Sequence, residues 1–168
     1  MKHYVILLII SNALIGCANP TLQEITPTVS SSSHSQSRNY LQILARQAAT
    51  DYGIDHRLFY ALIKQESAWK PYAISPAGAR GLTQIMPATG MGECGLEPEV
   101  LLDPYYNLYC GAYYFSKLLR RFKNVKLALA AYNSGPTRVA RLGRVPRIRE
   151  TQRYVRRIMA SWNRSKTL

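Results

Sequence analysis

Glu66 is the residue whose type and position could do acid–base chemistry. It follows Phe59, Leu62 and Ile63 at helical spacing, so it lies on the apolar stripe of a predicted helix. A carboxyl group there loses hydration, which raises its pKa. A carboxyl that stays protonated near neutral pH suits general acid catalysis. The alternative is that Glu66 bends out to solvent or pairs with an arginine.

A segment rich in small residues follows Glu66, over residues 73–87. Its glycines and alanines would let the backbone approach a ligand closely. Ser75 and Gln84 supply neutral hydrogen-bonding groups within this segment, and Trp69 just before it could offer a flat face to a sugar ring. The combination predicts a binding cleft beside Glu66.

Two later segments carry polar residues at the end or the start of a predicted helix. Ala-Ala-Tyr-Asn-Ser-Gly, residues 130–135, ends a helix in a polar turn. Glu-Thr-Gln-Arg-Tyr-Val, residues 150–155, opens the last helix. Together with residues 73–87, these segments favour a functional role for Glu66 over the alternative above.

The elements that must position these residues are helices. Apolar periodicity and capping residues predict helices from near Asn39 to Gly53, from His56 to Ala68 after the cap Asp55, after Asp103-Pro104 to Phe122, over Leu127 to Tyr132, and over Ile148 to Trp162. Residues 78–89 carry at most a short helix at Leu82–Met86. No alternating segment suggests a sheet beyond a minor β-hairpin, so the predicted fold is mainly α.

Four sequence blocks, in this order, resemble the SLT-type lytic transglycosylases. They are the Glu-Ser pair at residue 66, Gly-Leu-Xaa-Gln-Xaa-Met-Pro from Gly81, Ala-Tyr-Asn-Xaa-Gly from Ala131, and Glu-Thr…Tyr-Val from Glu150. The resemblance covers residues 55 to about 158 and implies a lysozyme-like helical domain with an active-site cleft. Thr83 is a departure, because the family usually has Met at this position.

The resemblance implies a role for each matching residue. Glu66 matches the catalytic acid of the family. The matching substrate-binding positions are Ser75, Gln84, Met86, Tyr132, Asn133, Glu150 and Tyr154. Gln84 is expected near the reacting sugar, and Glu150 is expected to contact substrate or a basic neighbour.

The implied reaction cleaves the β-1,4 bond between N-acetylmuramic acid and N-acetylglucosamine in peptidoglycan. Glu66 acts first as acid and then as base, closing a 1,6-anhydro ring, and no cofactor or metal is required. The chain contains nine Asp and Glu residues, and this scarcity suits a mechanism with one carboxylate. A hydrolytic muramidase and a non-catalytic wall-binding scaffold protein are the alternatives.

The N-terminus predicts export and a membrane anchor. Lys2 and His3 precede an apolar run that ends in Leu-Ile-Gly-Cys, which makes residues 1–16 a signal peptide. The cysteine resembles a bacterial lipoprotein signal, in which Cys17 is lipidated; the alternative is an incidental cysteine after a plain signal peptide. Ser-, Thr- and Pro-rich residues 17–38 predict a flexible tether, followed by the enzymatic domain over residues 39–168.

Export leads us to expect the periplasm. Because Ala18 and not Asp follows Cys17, the lipoprotein resemblance implies an anchor in the outer membrane if the host is Gram-negative. It argues against nucleic acid as a partner, although the chain carries a net charge of +13. The expected partners are peptidoglycan strands, the membrane, and an envelope-spanning secretion or conjugation apparatus. From Lys117 onward, 15 Lys and Arg face one acid, Glu150. This basic third either binds an anionic partner or is a solvated face without one.

Cys94 and Cys110 remain once Cys17 is assigned to the anchor. An even pair in an oxidising compartment predicts a disulfide, and two buried free thiols are the alternative. No His or Asp lies close enough in the sequence to suggest a metal site with them.

Overall fold

The computed structural model describes the backbone of residues 30–167 and the side chains of residues 37–167. The predicted signal peptide, the predicted lipidation site Cys17 and residues 17–29 of the predicted tether lie outside the described residues. Helix α1 spans Ser30–Asp51. It therefore begins before the expected helix start near Asn39. The boundary between tether and domain at residue 38 stays a prediction. A helix anchored by Leu41, Ala45 and Ala48 extends without a new nucleation step, and serine is only moderately unfavourable within it.

Helix α2 spans His56–Ser67 and carries Glu66 in its last turn. The predicted cap is confirmed, because the Asp55 side chain accepts a hydrogen bond from the Arg57 backbone N–H. Its buried face includes Phe59, Leu62 and Ile63. These residues fix the rotation of the helix, so that Glu66 points along the same side toward the interior.

Residues 68–103 wind irregularly between α2 and the next long helix. Two isolated antiparallel bridges join Arg80 to Ile74 and to Ile85, and residues 30–167 contain no β-strand. The short helix considered at Leu82–Met86 is wrong, since Leu82–Gln84 lie in a turn and Ile85 forms the bridge to Arg80. A short helix α3, Pro87–Thr89, is followed by a π-helical turn over Gly90–Cys94 and a 3₁₀ turn over Val100–Leu102.

Four further helices complete the domain: α4 (Pro104–Phe122), α5 (Val125–Ser134), α6 (Pro136–Leu142) and α7 (Arg149–Lys166). The cap Asp103 and the proline at the first helical position of α4 are confirmed. Helix α6 is not among the helices predicted from the sequence; it is short and arginine-bearing, and its one buried residue is Val139. A single apolar contact gives no periodic signal.

One core joins α1, α2, α4, α5 and α7, and its largest fully buried side chains include Phe59 and Phe115. A second, smaller cluster of Ile85, Leu101 and Cys110 lies beneath the irregular segment. The mainly helical fold expected from the sequence is confirmed. Within residues 30–167, no helix combines the length and the apolar character needed to cross a membrane.

Candidate active site

The Glu66 carboxyl lies where α2 meets α7, and it is half-buried. Burial raises its pKa from 4.5 to about 7, because the charged form loses hydration, while the hydrogen bond from Tyr154 partly lowers it. No other carboxylate contributes to this shift. The alternative that Glu66 bends out to pair with an arginine is wrong, because no ion pair of the described residues includes it.

Two tyrosines surround this carboxyl. The Tyr154 hydroxyl, on α7, donates to Oε1 of Glu66 at 2.5 Å. Tyr132, on α5, donates its hydroxyl to the Thr83 carbonyl at 2.8 Å. Burial raises the pKa of both phenols well above the ordinary value, and the nearby charge of Glu66 raises both further. Both hydroxyls therefore stay protonated and serve as fixed donors.

The irregular segment that follows α2 is held by its own side chains. Gln84 adopts a left-handed backbone conformation, with φ of 50°. Its Nε2 donates to the carbonyls of Gly81 (2.8 Å) and Ala73 (3.1 Å). Ser75 accepts a hydrogen bond at Oγ from the Ala79 backbone N–H at 3.0 Å. Both side chains thus shape the loop beside Glu66, and their contact with substrate stays a prediction.

Asn107, which is not among the site residues predicted from the sequence, anchors this loop to α4. Its side chain is fully buried. Oδ1 accepts from the N–H and the hydroxyl of Thr83, each at 2.8 Å, while Nδ2 donates to the carbonyls of Arg80 (2.9 Å) and Leu101 (2.8 Å). A lone asparagine within an apolar helical stripe was the available signal, since such a residue must satisfy its amide when buried.

Thr83 is therefore a structural residue, although it departs from the usual family residue at its position. It is fully buried and bonds to both Asn107 and Tyr132. Gly111 on α4 allows its close approach, because a Cβ at Gly111 would lie 2.6 Å from the Thr83 Cβ. Thr83 thereby links the loop to α4 and α5 at once.

The remaining predicted residues occupy different environments. Met86 is 42% exposed at the start of α3, and half-buried Asn133 follows Tyr132 in α5. Glu150 is exposed in the first turn of α7, one turn before Tyr154, so the two share a helix face. No ion pair among the described residues provides the basic neighbour considered for Glu150.

The chain turns sharply after the glutamate. Ala68 and Trp69 both adopt left-handed backbone conformations, with φ of 51° and 67°, and such strain gathers at functional sites. Trp69 is only 8% exposed and packs edge-on against Tyr60 at 5.2 Å. The expectation that Trp69 offers a flat face to a sugar ring is therefore wrong, because its ring belongs to the core.

Cys94 and Cys110 are joined by a disulfide, with their Cα atoms 5.8 Å apart. The bond connects the π-helical turn to α4, beneath the loop that carries Ile85. Among residues 30–167, no group of three or more His, Cys, Asp or Glu side chains is arranged to hold a metal ion.

Comparisons with known proteins agree with this geometry. The family described as Transglycosylase SLT domain matches residues 43–155. The Membrane-bound lytic murein transglycosylase F 1 of Alkalilimnicola ehrlichii is 41% identical over 96 residues, which cover 53% of this chain and 19% of that protein. The Soluble lytic murein transglycosylase of Escherichia coli K12 is 36% identical over 121 residues, covering 60% of this chain and 19% of that protein.

A solved structure extends the similarity to three dimensions. An inactive glutamate-to-glutamine mutant of Lytic Transglycosylase Slt from Pseudomonas aeruginosa superposes with a TM-score of 0.65 and 29% identity, covering 72% of this chain and 23% of that one. The matched part of this chain spans about a fifth of the length of these two lytic murein transglycosylases.

Proposed function

The chain belongs to the family of transglycosylase SLT domains, and from this premise we propose that it is a peptidoglycan lytic transglycosylase with Glu66 as its catalytic acid and base. In this proposal the enzyme cleaves the β-1,4 linkage between N-acetylmuramic acid and N-acetylglucosamine. One observation carries the proposal: a half-buried carboxyl with a pKa of about 7 receives a hydrogen bond from a protonated tyrosine. At neutral pH such a group is near half protonation, which suits both roles.

The first step is protonation of the glycosidic oxygen by Glu66. The bond from that oxygen to the anomeric carbon breaks, and the acetamido oxygen of the muramic acid supports the carbon. Tyr154 donates to the carboxylate that forms, which stabilises its charge while the leaving sugar departs.

The second step returns the proton to Glu66. The carboxylate removes the proton from the C6 hydroxyl of the same sugar, and the C6 oxygen bonds to the anomeric carbon as the acetamido oxygen leaves. A 1,6-anhydro ring forms, no water is consumed, and Glu66 is protonated again. One half-buried carboxyl that serves first as acid and then as base is enough for this mechanism, whereas most glycosidases use two carboxylates.

The products of digested sacculi test this proposal. Mass spectrometry should find glycan ends lighter by one water than the ends that a hydrolytic muramidase leaves. Ends carrying the added water would instead assign hydrolysis, with exposed Glu150 on the face of Tyr154 as the second carboxylate to examine. Binding without any cleavage would favour the scaffold alternative.

We also propose that the protein acts in the periplasm, attached through a lipid on Cys17, and that it serves an envelope-spanning secretion or conjugation apparatus. The signal-like N-terminus supports export. Replacing Cys17 with serine should move the protein from the membrane fraction to the soluble fraction of the envelope. An unchanged distribution would argue against the anchor.

A further inference from the structure

Tyr114, on α4, lies next to Tyr132. Its ring is tilted by 46° against the Tyr132 ring, and the two ring centroids are 5.4 Å apart. Tyr132 is close enough to both Glu66 and Tyr114 for each of them to raise the pKa of its phenol. Glu66 does not contribute to the pKa of Tyr114 itself. The contacts therefore run from Glu66 through Tyr132 to Tyr114, which lies one side chain further from the carboxyl.

Both tyrosines lie along the boundary between α5 and the irregular segment that follows α2. Both pack against the second, smaller apolar cluster, which lies beneath that segment. Tyr132 reaches across the boundary from α5, since its hydroxyl donates to the Thr83 carbonyl. Tyr114 reaches the same boundary from α4. The line of residues that includes Glu66 and Tyr132 thus continues to Tyr114.

The hydroxyl of Tyr114 differs from those of other tyrosines in the domain. Four tyrosine hydroxyls donate to acceptors within the protein, namely those of Tyr60, Tyr109, Tyr132 and Tyr154. The Tyr114 side chain is half-buried, and none of the described residues forms a hydrogen bond with its hydroxyl. That oxygen is not among the buried polar atoms, so it is open to solvent.

The Tyr114 phenol is also a suitable hydrogen-bond donor. Burial, followed by the charge of Glu93, raises its pKa above the ordinary value. The hydroxyl therefore keeps its proton at neutral pH, and it can both donate to and accept from a ligand. It provides an open polar group on an otherwise packed aromatic ring.

A sugar unit matches this combination. Tyrosine offers a flat apolar body and a polar tip, while a pyranose ring offers an apolar face with hydroxyl and acetamido groups around it. A glycan strand held at Glu66 also continues beyond the two sugars that the scissile bond joins. We propose that Tyr114 binds a further sugar of the same strand, through a hydrogen bond to its hydroxyl. This inference rests on the proposed function.

Removal of the hydroxyl alone tests the inference. Tyr114→Phe keeps the ring and its packing against Tyr132. The ligand is a peptide-free hexasaccharide of alternating N-acetylglucosamine and N-acetylmuramic acid, titrated calorimetrically into full-length Glu66→Gln protein so that nothing is cleaved. Tyr114→Phe should weaken binding about three- to ten-fold, the loss expected for one neutral hydrogen bond. The loss should be the same at low salt and at 0.5 M salt, because the phenol is uncharged.

The active enzyme gives a second measurement. With Glu66 in place, Tyr114→Phe should lower kcat/KM by a similar factor. The basic side of its pH profile should coincide with that of the parent protein, because Tyr114 does not act on Glu66. A shifted profile would assign Tyr114 to the tuning of Glu66 and would contradict a role in binding a further sugar.

Tyr113→Phe is the matched control. Tyr113 is the next residue on α4, about 100° around the helix from Tyr114, and it lines a different depression of about 420 Å³ with Tyr52 and Tyr109. This variant should bind the hexasaccharide as tightly as the parent protein. Unchanged binding in Tyr114→Phe, or an equal loss in both variants, would overturn the inference. Failure of the proposed function appears separately, as missing anhydro products while binding still depends on the Tyr114 hydroxyl.

Discussion

The hydroxyl of Tyr154 lies 2.5 Å from Oε1 of Glu66 and donates a hydrogen bond to it. It reaches from the beginning of α7 to the last turn of α2 and opposes the effect of burial, because it stabilises the charged carboxylate. Burial is the larger influence, so the pKa of Glu66 rises to about 7 and not further. The pair therefore sets the proton affinity of the site.

Tyr154→Phe removes this hydrogen bond and should raise the pKa of Glu66 above 7. The first step needs the protonated carboxyl, so the decline of kcat/KM on the basic side of the pH profile should begin at a higher pH in the variant than in the parent protein. The rate at neutral pH should drop by about 10-fold or more. Measuring kcat/KM between pH 5 and 9 checks this. Tyr109→Phe is the control, since its hydroxyl bonds to Asp51. Coincident basic limbs in all three proteins would contradict the role of Tyr154.

Glu66→Gln should stabilise the fold in a pH-dependent way. Below pH 4.5 the carboxyl is neutral in the folded and unfolded states, so the substitution changes little. Between 4.5 and about 7 the unfolded chain loses the proton while the folded one keeps it, and the stability of the parent protein falls as pH rises. Above pH 7 the difference reaches up to about 3 kcal/mol. Melting temperatures should thus agree near pH 4 and differ by several degrees at pH 8; a constant difference would contradict the shift.

Gly111→Ala should destabilise the domain and reduce activity together. The new Cβ would lie 2.6 Å from the Thr83 Cβ, which is fully buried and cannot yield without moving the loop. We expect a loss of about 1–3 kcal/mol in the free energy of unfolding. Because Thr83 also fixes Tyr132, activity should fall as well. Gly92→Ala is the control, since nothing lies within 4 Å of its added Cβ; equal behaviour of the two variants in denaturant titrations would refute the account.

Ala68→Gly should separate stability from activity. Alanine at φ of 51° is strained, and glycine relieves a strain of about 1–2 kcal/mol while gaining freedom in the unfolded chain. The net gain should be about 0.5–1 kcal/mol. Lys123→Gly makes the same change at φ of 47° at the end of α4 and should stabilise similarly. Only Ala68→Gly should lower kcat, because it loosens the turn after Glu66. Unchanged kcat in Ala68→Gly would show that the strain does not position the glutamate.

The helices and the burial of Glu66 could be predicted because both depend on local periodicity. Phe59, Leu62 and Ile63 define the face of α2, and Asp55 and Asp103 define where helices begin. The early start of α1 and the existence of α6 were missed, since residues 30–38 and 136–142 carry little apolar periodicity. Residues 30–38 are helical because they continue the packed part of α1. Residues 136–142 are held to the core by one buried side chain, Val139.

The partners around the glutamate could not be derived from spacing alone. Asn107 meets Thr83 across a separation of 24 residues, and Tyr154 meets Glu66 across 88. Such contacts depend on how helices cross in space. Trp69 illustrates the same limit: its sequence position suggests a cleft surface, but a left-handed turn directs its ring into the core.

The proposed mechanism requires that Glu66 hold a proton near neutral pH. Titration of its carboxyl carbon by ¹³C NMR measures its pKa directly. With glutamate labelled at Cδ, the resonance that disappears in Glu66→Gln identifies the residue. We expect its chemical shift to change with a midpoint near pH 7. A midpoint near 4.5, the ordinary value for glutamate, would mean that the carboxyl is ionised at neutral pH and has no proton to donate to the glycosidic oxygen.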